Sequence, residues 1–193
     1  SKILWSIDKA RWLGEKGGEE EALKRLKKIR EECEADFRWT YALQALQEEK
    51  WLSMGAGIER NEEIRRKELD LMRKQESDSA YYMLVRRIMD FRYRKERSRN
   101  EAQQAELDSI MDSEYLKDDT KASTPVSRYF YHTIFGIYHS ILSDDAESLE
   151  SYRAALQVYS DFPRMRANRP LDYFLRLNSF ASKLSIHGLT DEL

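Results

Sequence analysis

The sequence holds one cysteine, three prolines and seven glycines in 193 residues. A lone thiol, Cys33, excludes an intramolecular disulfide and leaves no partner for a thiolate zinc site. With so few prolines and about half the usual share of glycine, long unbroken helices are the expected backbone. No apolar run approaches the ~20 residues that cross a bilayer, and none follows a basic cluster as in a secretory signal. Neither sign of charge dominates: 33 basic and 35 acidic side chains leave a net charge of -2, so no overall field draws in nucleic acid or an anionic membrane. HExxH, GxSxG, a glycine-rich phosphate loop and CxxC are all missing. These absences lead to the expectation of a non-catalytic, cytoplasmic chain with no cofactor and no metal.

What is present suits an all-α fold. Hydrophobic residues make up 41% of the chain and charged residues 35%, with strong helix formers prominent among both. Periodicity predicts helices over 3–15, 19–35, 37–53, 58–76, 78–97, 100–112, 126–142, 145–160 and 171–187. Break signals separate them. Gly17 with Gly18 and Gly55 with Gly57 mark turns, Thr124 with Pro125 marks a capped start, and Asp144 with Glu147 marks another. Pro163 and Pro170 punctuate the last connection, and Gly188 reads as a helix stop. Cys33 lies on an apolar stripe with Ala22, Leu26 and Ile29, which makes it a core residue.

Taken in pairs, the helices start their hairpins near 3, 37, 78, 126 and 171, in steps of about 34, 41, 48 and 45 residues. Within 129–163, Phe135, Gly136, Ser148, Tyr152 and Ala155 are spaced so that large and small side chains interlock across one pair. Those residues resemble the tetratricopeptide repeat, with His139 in place of its usual tyrosine and Pro163 three residues late. Ala10, Leu13, Gly17, Ala22 and Leu26 resemble a second unit, and Leu177, Phe180, Ala181, Leu184 and Gly188 the first helix of another. The resemblance implies an α-solenoid over 1–193, a right-handed superhelix of about four antiparallel hairpins plus a terminal helix, a stretch of a longer array.

It also implies a function: a scaffold that binds a peptide or partner helix on its concave face. The residues mapped to that face are Thr133, Ile137, Ser140, Asn178, Ser182 and Ser185, with Arg87 and Arg94 as the nearest basic stripe. The family's clamp for a peptide carboxylate, paired lysines or arginines with asparagines, is not reproduced at the mapped positions. Trp5 and Trp12, seven apart on the first helix, suggest the alternative of a homodimer or a structural segment of a larger assembly. The basic run at 86–99 invites nucleic acid, but the acidic run at 101–119 is expected to neutralise it. His132 and His139 stand about 10 Å apart along a helix, too far to share a metal. Asp118 with Asp119 and Asp144 with Asp145 read as caps. Residues 59–76 form a charged face with a narrow apolar stripe, 113–124 the longest loop, and 126–142 the most buried helix.

Overall fold

The computed structural model describes residues 1–55, 57–94 and 101–187, and all regular structure among them is helical. The helices are α1 (Lys2–Glu15), α2 (Glu19–Ala35), α3 (Trp39–Leu52), α4 (Ile58–Tyr93), α5 (Glu101–Met111), α6 (Pro125–Ile141), α7 (Asp145–Asp161), α8 (Pro163–Asn168) and α9 (Pro170–His187). A 3-10 turn spans Asp119–Lys121. The chain forms two compact units, Ser1–Glu76 and Ser77–Leu193, and the division falls inside α4.

Local chemistry sets most of the ends. Gly17, at φ 88°, takes the left-handed conformation that closes α1. Thr124 accepts the Ser127 N–H, Ser127 Oγ accepts the Thr124 N–H, and Pro125 opens α6 with its ready-made φ. The Asp144 carboxylate accepts the Glu147 N–H at the head of α7. Caps of this kind each contribute about 1 kcal/mol.

Two boundaries differ from the sequence reading. The expected break between the helices at 58–76 and 78–97 is absent, because α4 runs on through Gln75–Ala80. That stretch holds no glycine or proline, and two of the side chains able to compete for its backbone, Ser77 and Asp78, are engaged elsewhere. Ser77 Oγ donates to the Lys121 carbonyl at 3.1 Å, and the Thr124 hydroxyl bonds the Asp78 carboxylate. The second difference is α8, where Pro163 starts a short helix instead of ending one. Gly188 and the expected end of the fifth segment, 95–97, lie outside the described residues.

In the first unit α2 packs against both α1 and α3, and α1 also meets α3. Ile7, Ala10, Leu26 and Ala45 form one apolar cluster; Cys33, Trp39, Ala42 and Leu46 form another with Ile64 and Leu71 from the start of α4. Small residues hold the helices close: a Cβ on Gly14 would stand 2.6 Å from Leu52 Cδ2. Along α4, Ile64 and Leu71 are buried while Ile58, Leu69 and Met72 are exposed, so the apolar stripe is narrower than expected. Its outer face carries Glu62 with Arg66 and Asp70 with Lys74, each worth a few tenths of a kcal/mol.

A buried ion pair ties α2 to α3. Arg30 Nε donates to Glu49 Oε1 at 2.6 Å, and Arg30 Nη1 to Glu34 Oε1 at 2.6 Å. The Arg30 and Glu49 side chains are 4% and 1% exposed, with Arg60 Nη2 3.8 Å from Glu49. Neither charge can return to water while the helices stay packed.

In the second unit α7 packs against both α6 and α9, and α8 lies against α7 and α9. Helix α6 buries Val126, Ser127, Tyr129, Phe130, Thr133, Ile134, Gly136 and Ile137, nearly half its length. At its crossing with α7 the Tyr152 ring lies on Gly136 so closely that a Cβ there would collide with it. Ser148 Oγ donates to the Gly136 carbonyl at 2.8 Å beside it. Tyr152 and Leu149 continue into a cluster with Phe180 and Leu184 of α9. The segment between α5 and α6 is fastened rather than free: Tyr81 donates to the Tyr115 carbonyl at 2.6 Å, and Leu116, Ala122 and Thr124 are buried.

Removing one member of the buried pair strands the other charge, whereas the rim contact is replaceable by water. Glu49→Ala should therefore cost about 3 kcal/mol or more in urea unfolding, and Glu34→Ala less than about 1 kcal/mol. Equal losses at the two positions would show that the buried pair has no special weight.

Candidate functional site

The first unit has a cleft of about 330 Å³ lined by Arg11 and Glu15 of α1 and Gln47, Glu48 and Trp51 of α3. Residues 11 and 15 are one turn apart, as are 47 and 51, so each helix presents a short ridge across the gap. Arg11 Nη1 stands 3.6 Å from Glu48 and its Nη2 3.4 Å from Asp8, which holds the guanidinium among carboxylates at the cleft. The Trp51 indole is 53% exposed. An aromatic wall beside carboxylates and an amide offers apolar, charged and hydrogen-bonding contacts to an extended ligand.

A second hollow, of about 260 Å³, lies beside Cys33 between the start of α1 and the end of α2. Burial pushes the Cys33 thiol above its usual pKa, outweighing the pull of Arg38. A thiol kept protonated in this way is a poor nucleophile.

The expected partner-facing residues divide. Arg87, Arg94, Asn178, Ser182 and Ser185 are exposed, and Ser140 is half-buried. Thr133 and Ile137 are corrected: at 0% and 2% exposure they lie inside the second unit, because the enclosed face of α6 carries them. Ser182 Oγ donates back to the Asn178 carbonyl at 2.8 Å. The expected neutralisation of the basic run reaches Arg94, which pairs with Glu106 of α5. Arg86, Arg87 and Arg92 are exposed and have no ion pair with a described residue, while Lys95, Arg97 and Arg99 lie outside the described residues.

Other candidates resolve into packing or capping. Asp118 accepts the Thr120 N–H at 2.9 Å, and bonds from the Thr120 side chain and backbone hold its carboxyl below the usual range. His139 Nδ1 stands 3.9 Å from Asp144, and the His132 ring meets the Tyr131 edge at 5.4 Å. Among the described residues no three His, Cys, Asp or Glu side chains are grouped to hold a metal ion. No described helix is long and apolar enough to cross a membrane. Trp5 and Trp12 are 60% and 59% exposed, so neither ring folds into the unit. Lys9 lies 3.7 Å above the Trp5 ring.

One residue the sequence reading passed over is Arg176 of α9, 8% exposed, with its guanidinium 5.1 Å from the Tyr152 ring and 6.0 Å from Tyr129. A signal was available. Arg176 falls three residues after Tyr173 and four before Phe180, in the apolar register of its helix. The chain matches no protein-family description, no curated protein and no solved structure.

Burial pulls the His132 imidazole below its ordinary pKa of 6.5, opposed by Asp119 and assisted by Arg128. The unfolded chain takes up that proton more readily than the folded one, so stability present above pH ~6.5 is lost as pH falls. Proton-resolved titration should place His132 below 6.5, and His132→Gln should flatten the loss of stability between about pH 7 and 5. A normal His132 titration would contradict this.

Proposed function

We propose that the chain is a non-catalytic interaction module that holds a peptide or a partner helix along the first helices of successive hairpins, in the manner of a tetratricopeptide-like solenoid. The observation that carries the reading is the cleft between α1 and α3, which are first helices of consecutive hairpins in that pairing. Supporting it, the packing of α2 on both α1 and α3 recurs as α7 on both α6 and α9, with a close-packed glycine in each unit, Gly14 in the first and Gly136 in the second. Specificity would come from Trp51 as an apolar anchor and from Glu15, Glu48 and Gln47 as polar selectors.

Selection of random displayed peptides against the folded chain, followed by calorimetry, tests the reading. Peptides with micromolar Kd should emerge, and Trp51→Ala should weaken them by about tenfold or more. Failure to select any peptide, or selected peptides that bind the Trp51→Ala chain as well as the native one, would overturn it.

A further inference from the structure

The cleft between α1 and α3 holds an imbalance of charge. Arg11 is the cation on its lining, and three carboxylates share it: Asp8 at 3.4 Å, Glu48 at 3.6 Å and Glu15 at 4.0 Å. A settled charge-assisted hydrogen bond runs to about 2.7–2.9 Å, and in the same unit Arg30 reaches Glu49 at 2.6 Å. None of these three contacts of Arg11 is that close, so its charge is divided. Glu15 and Glu48 make no other ion pair with a described residue. One positive charge among three negative ones leaves the cleft acidic.

The aromatic wall points the same way by a separate observation. Trp5, Trp12 and Trp39 each hold a lysine ammonium over the ring, with Lys9 at 3.7 Å, Lys16 at 5.9 Å and Lys74 at 5.4 Å from the centroid. Trp51 has no such cation among the described residues, although its indole is more than half exposed and borders the cleft beside Glu15 and Glu48. A ring face attracts a cation through its quadrupole, and carboxylates next to it add charge and acceptors. The lining is reached from solvent without opening the core: Arg11, Glu15, Gln47 and Trp51 are exposed and Glu48 is half-buried.

We propose that the α1–α3 cleft selects a basic side chain, lysine or arginine, of the bound peptide, with Trp51 against the cation and Glu15 and Glu48 as its counter-charges. The inference rests on the peptide-binding reading of this cleft and names the chemistry that the cleft takes. Glu15 comes from α1 and Glu48 from α3, so a cation between them answers both helices. A guanidinium would stack on the indole and fork to a carboxylate, whereas an ammonium would act as a compact point charge. An acidic ligand side chain would meet three carboxylates, and an apolar one would leave their charge unanswered.

The test uses five pools of short capped peptides, each titrated into the intact chain at constant ionic strength. The central residue is fixed as arginine, lysine, glutamine, norleucine or glutamate, and the flanking positions are randomised among uncharged residues. The arginine or the lysine pool should bind more tightly than the glutamine and norleucine pools by about fivefold or more. The glutamate pool should be the weakest, and the tighter of the two basic pools identifies the cation. Replacing both Glu15→Gln and Glu48→Gln should bring the basic pools down to the glutamine pool and leave the glutamine pool unchanged. Basic pools no tighter than the glutamine pool, with binding still lost in Trp51→Ala, would overturn this inference and leave the peptide-binding reading standing. A basic preference retained in the doubly substituted chain would also overturn it, and binding by no pool would overturn both. The ranking of the pools on the native chain decides the matter even if the variant folds poorly.

Discussion

At the crossing of α6 and α7 the ring of Tyr152 occupies the space that any side chain at position 136 would need. Glycine inside a helix costs about 1 kcal/mol against alanine, and the enclosure of an aromatic ring contributes about 2 kcal/mol or more in return. The exchange fixes the register of the pair. It sets Ser148 against the Gly136 carbonyl, and it carries Tyr152 far enough across α7 to meet Phe180 and Leu184 of α9. The placement of Arg176 beside the Tyr152 ring follows from the same contact.

The first unit reaches close packing by a different balance. Ala10, Ala22, Ala42 and Ala45 are all fully enclosed, and Gly14 admits Leu52. Alanines supply little apolar area, so the helices gain contact by approaching rather than by filling a wide interior. The Arg30–Glu49 pair sits in that narrow space, where a mismatch would be costly, and it ties α2 and α3 to one alignment.

Much of this was legible in the sequence because the determinants are local. Thr124 with Pro125 and Asp144 with Glu147 carry their capping chemistry within four residues, and the structure uses both. The Gly136–Tyr152 pairing was readable from the spacing of small and large residues across one hairpin. The unbroken α4 was not, because Ser77 and Asp78 look like turn formers until Lys121 and Thr124, more than forty residues away, engage them. Thr133 and Ile137 were assigned to an open face by analogy, and periodicity cannot tell an enclosed helix from one facing a groove when aromatic residues surround it. Arg176 was missed for a related reason: a charged residue in an apolar register is read as solvated until its neighbours are known. The solenoid and its peptide-binding groove remain part of the functional proposal, with the α1–α3 cleft as their support.

The interlock of Gly136 with Tyr152 is best tested by a double-mutant cycle in urea. Gly136→Ala should destabilise the native chain by about 1–3 kcal/mol through overpacking. In a Tyr152→Ala background, with the ring removed, the same change should stabilise by up to about 1 kcal/mol through helix propensity. Effects of Gly136→Ala that agree within about 0.5 kcal/mol in the two backgrounds would contradict the account.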